Sequence, residues 1–117
     1  MKNENIIAEK SKAFALRIIK LYRHLDDNYR ITPITKQILK SGTSIGANVR
    51  EAIRAQSKPD FYSKMNIALK ECSETEYWLE LLHESGYVTE NQFDSIYGDC
   101  KEIIKILMAI TKTQHNS

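Results

Sequence analysis

The sequence predicts an all-α protein, folded as an antiparallel up-down-up-down four-helix bundle. Three observations point there. Four long stretches repeat apolar residues at spacings of three and four, the signature of one buried face per helix. Short clusters of helix-breaking residues separate those stretches. The chain of 117 residues holds only four Gly and two Pro, too few for the turns of an all-β sandwich or barrel.

The first helix is expected over residues 5–28, with Ile7, Phe14, Ile18, Leu21 and Leu25 on one face. Asp26-Asp27-Asn28-Tyr29-Arg30 ends it, and Ile31-Thr32 before Pro33 is poorly suited to α geometry. The second is expected over residues 34–56, where Ile34, Ile38, Ile45, Val49 and Ala52 cluster on one side. Ser57-Lys58-Pro59-Asp60 then reads as an end and a restart: Ser57 as N-cap, Pro59 in the tolerated first turn, Asp60 near the positive helix end. The third helix spans residues 58–84, with Phe61, Met65, Ala68, Cys72 and Leu79 as its stripe, and Ser85-Gly86 as its stop. Thr89-Glu90-Asn91-Gln92 is a capping box that opens the fourth helix, residues 90–112. Phe93, Ile96, Cys100, Ile104, Leu107 and Thr111 line its inner face, and Lys112 to Ser117 are expected to fray. Four such helices joined by short turns pack as one bundle, a single domain over residues 1–117.

Composition narrows the function classes. Hydrophobic content of 42% and charged content of 27% fit a soluble globular chain. No apolar run approaches the length of a membrane span, and the first ten residues lack a signal peptide's apolar core, so a cytoplasmic location is expected. Cys72 and Cys100 stand far apart without CxxC spacing and read as small buried hydrophobes rather than a disulfide or zinc pair. Net charge is only +2, but it is unevenly spread: residues 30–58 carry six Lys/Arg against one acid, and residues 60–99 carry two Lys against nine acids. Such a split either neutralises itself between neighbouring helices or offers a basic surface to nucleic acid or an acidic partner.

After one stripe per helix is assigned, apolar residues remain. Leu16, Ile19, Leu39, Ile53, Ile67, Trp78, Leu81, Ile103 and Ile110 lie off the main stripes. A wide core would absorb them; self-association would bury them as well, with Tyr77 and Trp78 as aromatic anchors. Ser41-Gly42-Thr43-Ser44-Ile45-Gly46-Ala47 puts two glycines inside a helix, each costing about 1 kcal/mol relative to Ala. Close approach of another helix backbone explains them; the spacing matches neither a Walker loop nor G-x-G-x-x-G. Opposite the apolar stripe of the second helix lie Lys36, Lys40, Arg50, Arg54 and Lys58, a basic ridge about 30 Å long with no acid in it. It is either a solvated charged face or a surface for nucleic-acid backbone, bound without sequence preference and weakened by salt. Catalytic constellations are thin. Glu80 and His83 have the Glu-x-x-His spacing, but a di-metal bundle needs two such motifs and further carboxylates. No enzyme activity, cofactor or metal is expected.

Two stretches carry a family likeness: Ser41-Gly42-Thr43-Ser44-Ile45-Gly46-Ala47-Asn48-Val49-Arg50-Glu51-Ala52, and Asp60-Phe61-Tyr62-Ser63-Lys64-Met65 with Ile67 to Thr75 and Tyr77-Trp78-Leu79. Together they resemble the bacterial four-helix-bundle proteins encoded in intervening sequences of 23S ribosomal RNA genes. The accessory variability protein of diversity-generating retroelements is a related group. The likeness implies a homo-oligomer, a pentamer with a central channel, and in the related group basic surfaces that bind nucleic acid and a reverse transcriptase. Arg50 and Arg54 match the character of that surface. Ser44, Asn48 and Glu51 on one flank of the second helix, and Glu71 and Glu74 on the third, are expected to form a polar network between helices or subunits. The leading expectation is therefore a non-enzymatic, oligomeric bundle that binds RNA or DNA backbone through the ridge. The alternative is a scaffold that docks a partner protein, such as a polymerase or reverse transcriptase, on the Trp78 face or the acidic third helix.

Overall fold

A computed structural model describes residues 2–116. Four α-helices follow one another: α1 Lys2–Tyr29, α2 Thr32–Ile53, α3 Lys58–Glu84 and α4 Glu90–Lys112. Each packs against the next, and α4 closes back on α1. Neighbours run antiparallel, as the cross-helix pairs require. Gly42 and Gly46 of α2 face Ile18 and Ser11 of α1. Ser41 and Glu51 of α2 meet Thr75 and Lys64 of α3. Glu76 and Glu80 of α3 meet Lys101 and Tyr97 of α4. Arg17 and Lys10 of α1 pair with Asp99 and Glu102 of α4. The result is the up-down-up-down bundle, a rod of 47 × 21 × 19 Å.

The caps show why the helices start where they do. Ser57 is extended (φ −151°, ψ 160°) and its hydroxyl accepts from the Asp60 backbone N–H, with Pro59 in the first turn of α3. Thr89 forms the full capping box with Gln92, which satisfies two orphan N–H groups at the start of α4. After α3, Gly86 takes φ +89°, and Tyr87 and Val88 donate back to the Leu82 carbonyl at 2.9 and 3.3 Å. Only the turn's positive φ requires that glycine. Val88 is then buried, and Tyr87 stacks edge-on against Tyr29 at 5.1 Å, which ties this turn to the α1–α2 turn.

Four boundaries differ from the sequence expectation. α1 begins at Lys2 rather than at residue 5 and continues to Tyr29, leaving Arg30 at φ +53° and Ile31 to make the reversal. α2 begins at Thr32 rather than at residue 34, because Pro33 occupies the first turn, where its missing N–H has no intrahelical partner to lose. α2 also stops at Ile53 rather than at residue 56, since the chain needs residues 54–57 to turn into the extended Ser57 cap. The end of the chain, expected to fray, forms a 3₁₀ turn over Thr113–Asn116, where Thr113 shares a 2.6 Å hydrogen bond with Tyr62. Ser117 lies outside the described residues.

The core is one continuous cluster that runs the length of the rod, with Phe14 and Ile18, Ile45 and Val49, Met65 and Leu79, and Ile103 and Leu107 among its fully buried members. Its α4 stripe is turned from the expected one. Ile103 and Ile110, expected on a flank, are buried, whereas Ile104, Thr111 and Phe93 are only partly covered. Ile34, expected in the α2 stripe, is exposed. It sits in the first turn of the helix, at the end of the bundle. Cys72 and Cys100 are both buried and face each other across α3 and α4 as free thiols, Sγ to Sγ 3.6 Å. The hydrogen bond with Cys100, and then burial, push the Cys72 thiol far up.

Candidate nucleic-acid interface

α2 carries its apolar residues inward and a row of cations outward. Lys36, Lys40, Arg50 and Arg54 are all exposed, and among the described residues none is in an ion pair. At 1.5 Å per residue, Lys36 and Arg54 stand about 27 Å apart along the helix. Between the two pairs the outward surface is small: Thr43 is half-buried and Ala47 exposed. Lys58 is a correction. It stands in the first turn of α3 rather than on α2. α2 and its C-cap residue Arg54 carry four of the five cations.

The ridge borders an open groove of about 880 Å³ between α1, α2 and the start of α3. Small residues line it, Ala8 and Ala15 of α1 and Thr43, Gly46 and Ala47 of α2, together with the cations Lys12, Arg50, Arg54 and Lys64 and the acids Glu51 and Asp60. Lys12 adds a cation from α1 that helix-by-helix reading of charge does not group with α2. The only sequence signal for it is the antiparallel register that puts residues near 12 opposite residues near 46.

The glycines explain the tight α1–α2 seam. A Cβ built on Gly42 would lie 2.8 Å from both Cγ1 and Cγ2 of Ile18, and one on Gly46 would lie 3.4 Å from the Ser11 backbone oxygen. Both glycines therefore face α1 of the same chain.

The five polar residues expected to form a network are arranged differently. Ser44 donates to the Lys40 carbonyl (2.6 Å) and Asn48 to the Ser44 carbonyl (2.8 Å), both within α2. Glu51 reaches α3 through Lys64 at 3.7 Å. Glu74 accepts from the Trp78 indole N–H at 3.3 Å, within α3. Glu71 is held above its usual carboxylate range, first by partial burial and then by Glu74, with Lys40 of α2 acting the other way. The buried polar link between α2 and α3 is a pair outside that expectation: Thr75 donates to Ser41 Oγ at 2.8 Å, with both residues at 1% exposure or less. Serine and threonine at inward heptad positions are the trace such a pair leaves in a sequence.

Tyr77 and Trp78 sit on the outer face of α3, edge to face at 5.4 Å; Tyr77 is 55% exposed and Trp78 partly covered. Glu80 and His83 are turned to α4 and occupied there. Glu80 accepts from the Tyr97 hydroxyl at 2.7 Å, and His83 stacks on Phe93 at 4.2 Å. Among the described residues no three His, Cys, Asp or Glu side chains gather as a metal site, and no helix is long and apolar enough to cross a membrane.

With this geometry in hand, two comparisons identify relatives. A family model described as 23S rRNA-intervening sequence protein matches residues 3–109. Among solved structures, the chain is similar to a crystal structure of a protein of unknown function from the S23 ribosomal protein family of Bacteroides thetaiotaomicron VPI-5482. The two share 53% identity and a TM-score of 0.92, over 95% of this chain and 99% of that one. No curated protein matches.

Proposed function

The chain belongs to the 23S rRNA-intervening sequence protein family, and from that premise we propose that it is a non-enzymatic, self-associating bundle that holds nucleic-acid backbone through α2. The observation that carries this reading is the row of unpaired, exposed Lys36, Lys40, Arg50 and Arg54 on a rigid helix. A salt-bridged face would have its cations matched by acids; Glu51 is turned to Lys64 instead, and among the described residues neither Glu71 nor Asp60, the other acids near the row, forms an ion pair with it. Unmatched cations on a fixed spacing release counterions when phosphates replace solvent, which gives affinity without sequence preference. The family description, which refers to sequence within a ribosomal RNA gene, supports RNA among the candidates. Self-association fits the exposed apolar residues Leu16 and Ile19 of α1 and Ile53, which lines the groove, and it would multiply the ridge by the number of copies.

Fluorescence anisotropy with labelled RNA and DNA at about 50 and 200 mM salt tests it, because phosphate contacts make affinity fall steeply across that range. The Arg50→Ala/Arg54→Ala double variant is expected to flatten the slope of log affinity against log salt by about 2, roughly one per lost phosphate contact. An unchanged slope removes the ridge from the reading. The exposed Tyr77 beside Trp78 favours a second reading, a docking face for a partner protein. It predicts no nucleic-acid affinity at physiological salt and a specific co-purifying protein lost on Tyr77→Ala.

A further inference from the structure

Resting on the reading of α2 as a backbone-binding surface, the shape of that surface selects among nucleic acids. We infer that α2 lies across the wide, shallow groove of an A-form RNA duplex.

Exclusion comes first. The major groove of B-DNA is about 8.5 Å deep and takes a helix that projects into it, and its minor groove is only about 6 Å wide. α2 cannot project. On one side it is sunk against α1, so closely that Gly42 and Gly46 leave no room for larger side chains without displacing Ile18 or crowding Ser11. On the other side it is joined to α3 by the Thr75–Ser41 hydrogen bond and the Lys64–Glu51 ion pair. Only its outer strip meets a ligand, and a helix about 10 Å across does not fit a 6 Å groove. The A-form minor groove is open enough to receive a flat strip, and proteins that bind duplex RNA read it through phosphates and 2′-hydroxyls.

The strip matches that groove in two ways. Its cations come as two pairs, Lys36 with Lys40 and Arg50 with Arg54, whose centres are about 21 Å apart along the helix. They are placed to reach one phosphate row each, on either side of a shallow groove. Between them the surface is low: Thr43 and Ala47 let the helix backbone approach the groove floor. The chemistry there is also specific. Thr43 Oγ1 donates its proton to the Leu39 carbonyl at 2.7 Å, and Ser44 Oγ donates to the Lys40 carbonyl at 2.6 Å. With their protons committed, both oxygens remain as acceptors. A 2′-hydroxyl is a donor that RNA has and DNA lacks.

The test is competition anisotropy with an RNA duplex, a DNA duplex of the same sequence and the single-stranded RNA. The RNA duplex is expected to bind about tenfold tighter than the DNA duplex, the worth of one or two net hydrogen bonds. Thr43→Val keeps the side-chain shape and removes the acceptor, and it should bring the two duplexes to within about threefold of each other. Ala47→Leu, at an exposed position that does not threaten folding, should weaken RNA-duplex binding by raising the floor of the strip. Equal affinity for both duplexes, a preference for the single strand, or selectivity unchanged in both variants overturns the inference and leaves salt-dependent backbone binding standing. No binding of any of the three at low salt overturns the inference and the proposed function together.

Discussion

Gly42 and Gly46 look equivalent in the sequence, yet their surroundings differ. The side chain opposite Gly42 is Ile18, β-branched and fully buried, so a methyl group placed 2.8 Å from two of its carbons cannot be accommodated by rotating a flexible end. Gly42→Ala is expected to destabilise the fold by about 1–3 kcal/mol despite the better helix propensity of Ala. At Gly46 the nearest atom is 3.4 Å away, so Gly46→Ala should fall within about 1 kcal/mol of neutral, with its propensity gain offsetting the crowding. Urea titration of both variants checks the contrast; equal losses would refute it. Glu71 gives a pH prediction. Partial burial, and then Glu74, raise its pKa in the folded state above the ordinary 4.5. Just above pH 4.5 the folded state therefore binds more protons than the unfolded one, and stability contributed at this site rises as pH falls through that window. At neutral pH the ionised group is a net cost. Glu71→Gln should raise the thermal midpoint at pH 7 by the equivalent of less than about 1 kcal/mol, and the gain should vanish below the ordinary carboxylate range.

At the scale of elements, α3 and α4 are set by their caps more than by their stripes. Both begin where a hydroxyl satisfies an orphan N–H, Ser57 for α3 and Thr89 for α4. Thr89→Ala removes one half of the reciprocal pair with Gln92 and should cost about 1 kcal/mol. Calorimetry reads that loss, and hydrogen exchange should place it in the first turn of α4 with α2 unaffected. α2 has no side-chain cap at all. Its start depends on Pro33 in the first turn and on Thr35, which is buried and donates to the Thr32 carbonyl at 3.2 Å. The helix that carries the ridge is thus held by packing on both flanks rather than by its ends.

The whole molecule separates its two charge signs. Some acids of α3 and α4 are matched internally: Glu76 by Lys101, Asp99 by Arg17, Glu102 by Lys10, and Glu80 by the Tyr97 hydroxyl. The cations of α2 are not. A net charge of +2 therefore understates the field over α2. The bundle also leaves Leu16 at 57% and Met108 at 56% exposure, and Ile53 at 43%. Sedimentation at micromolar concentration is expected to show a species larger than one chain, and Leu16→Glu with Ile53→Glu should return it to the monomer. A wild-type monomer at every concentration would mean that those residues stay solvated and that each chain presents a single ridge.

Much of this was legible in the order of residues. The periodicity of Ile38, Ile45 and Val49, the Ser57 and Thr89 caps and the Gly86 stop are local, and the backbone obeys local rules wherever no distant contact opposes them. The alignment of Lys36, Lys40, Arg50 and Arg54 on one side of α2 follows from the same period. Tertiary structure decided the rest. Helical period alone leaves the rotation of a stripe uncertain by one residue, and packing against α1 and α3 turned α4 so that Ile103 and Ile110 went inward in place of Ile104 and Thr111. The end of α2 at Ile53 left Lys58 in the first turn of α3. Antiparallel register, which no single helix encodes, brought Lys12 to the groove beside Arg50 and paired Ser41 with Thr75. Contacts between residues distant in the chain depend on how four rods share one core, and that is settled only when all four are packed.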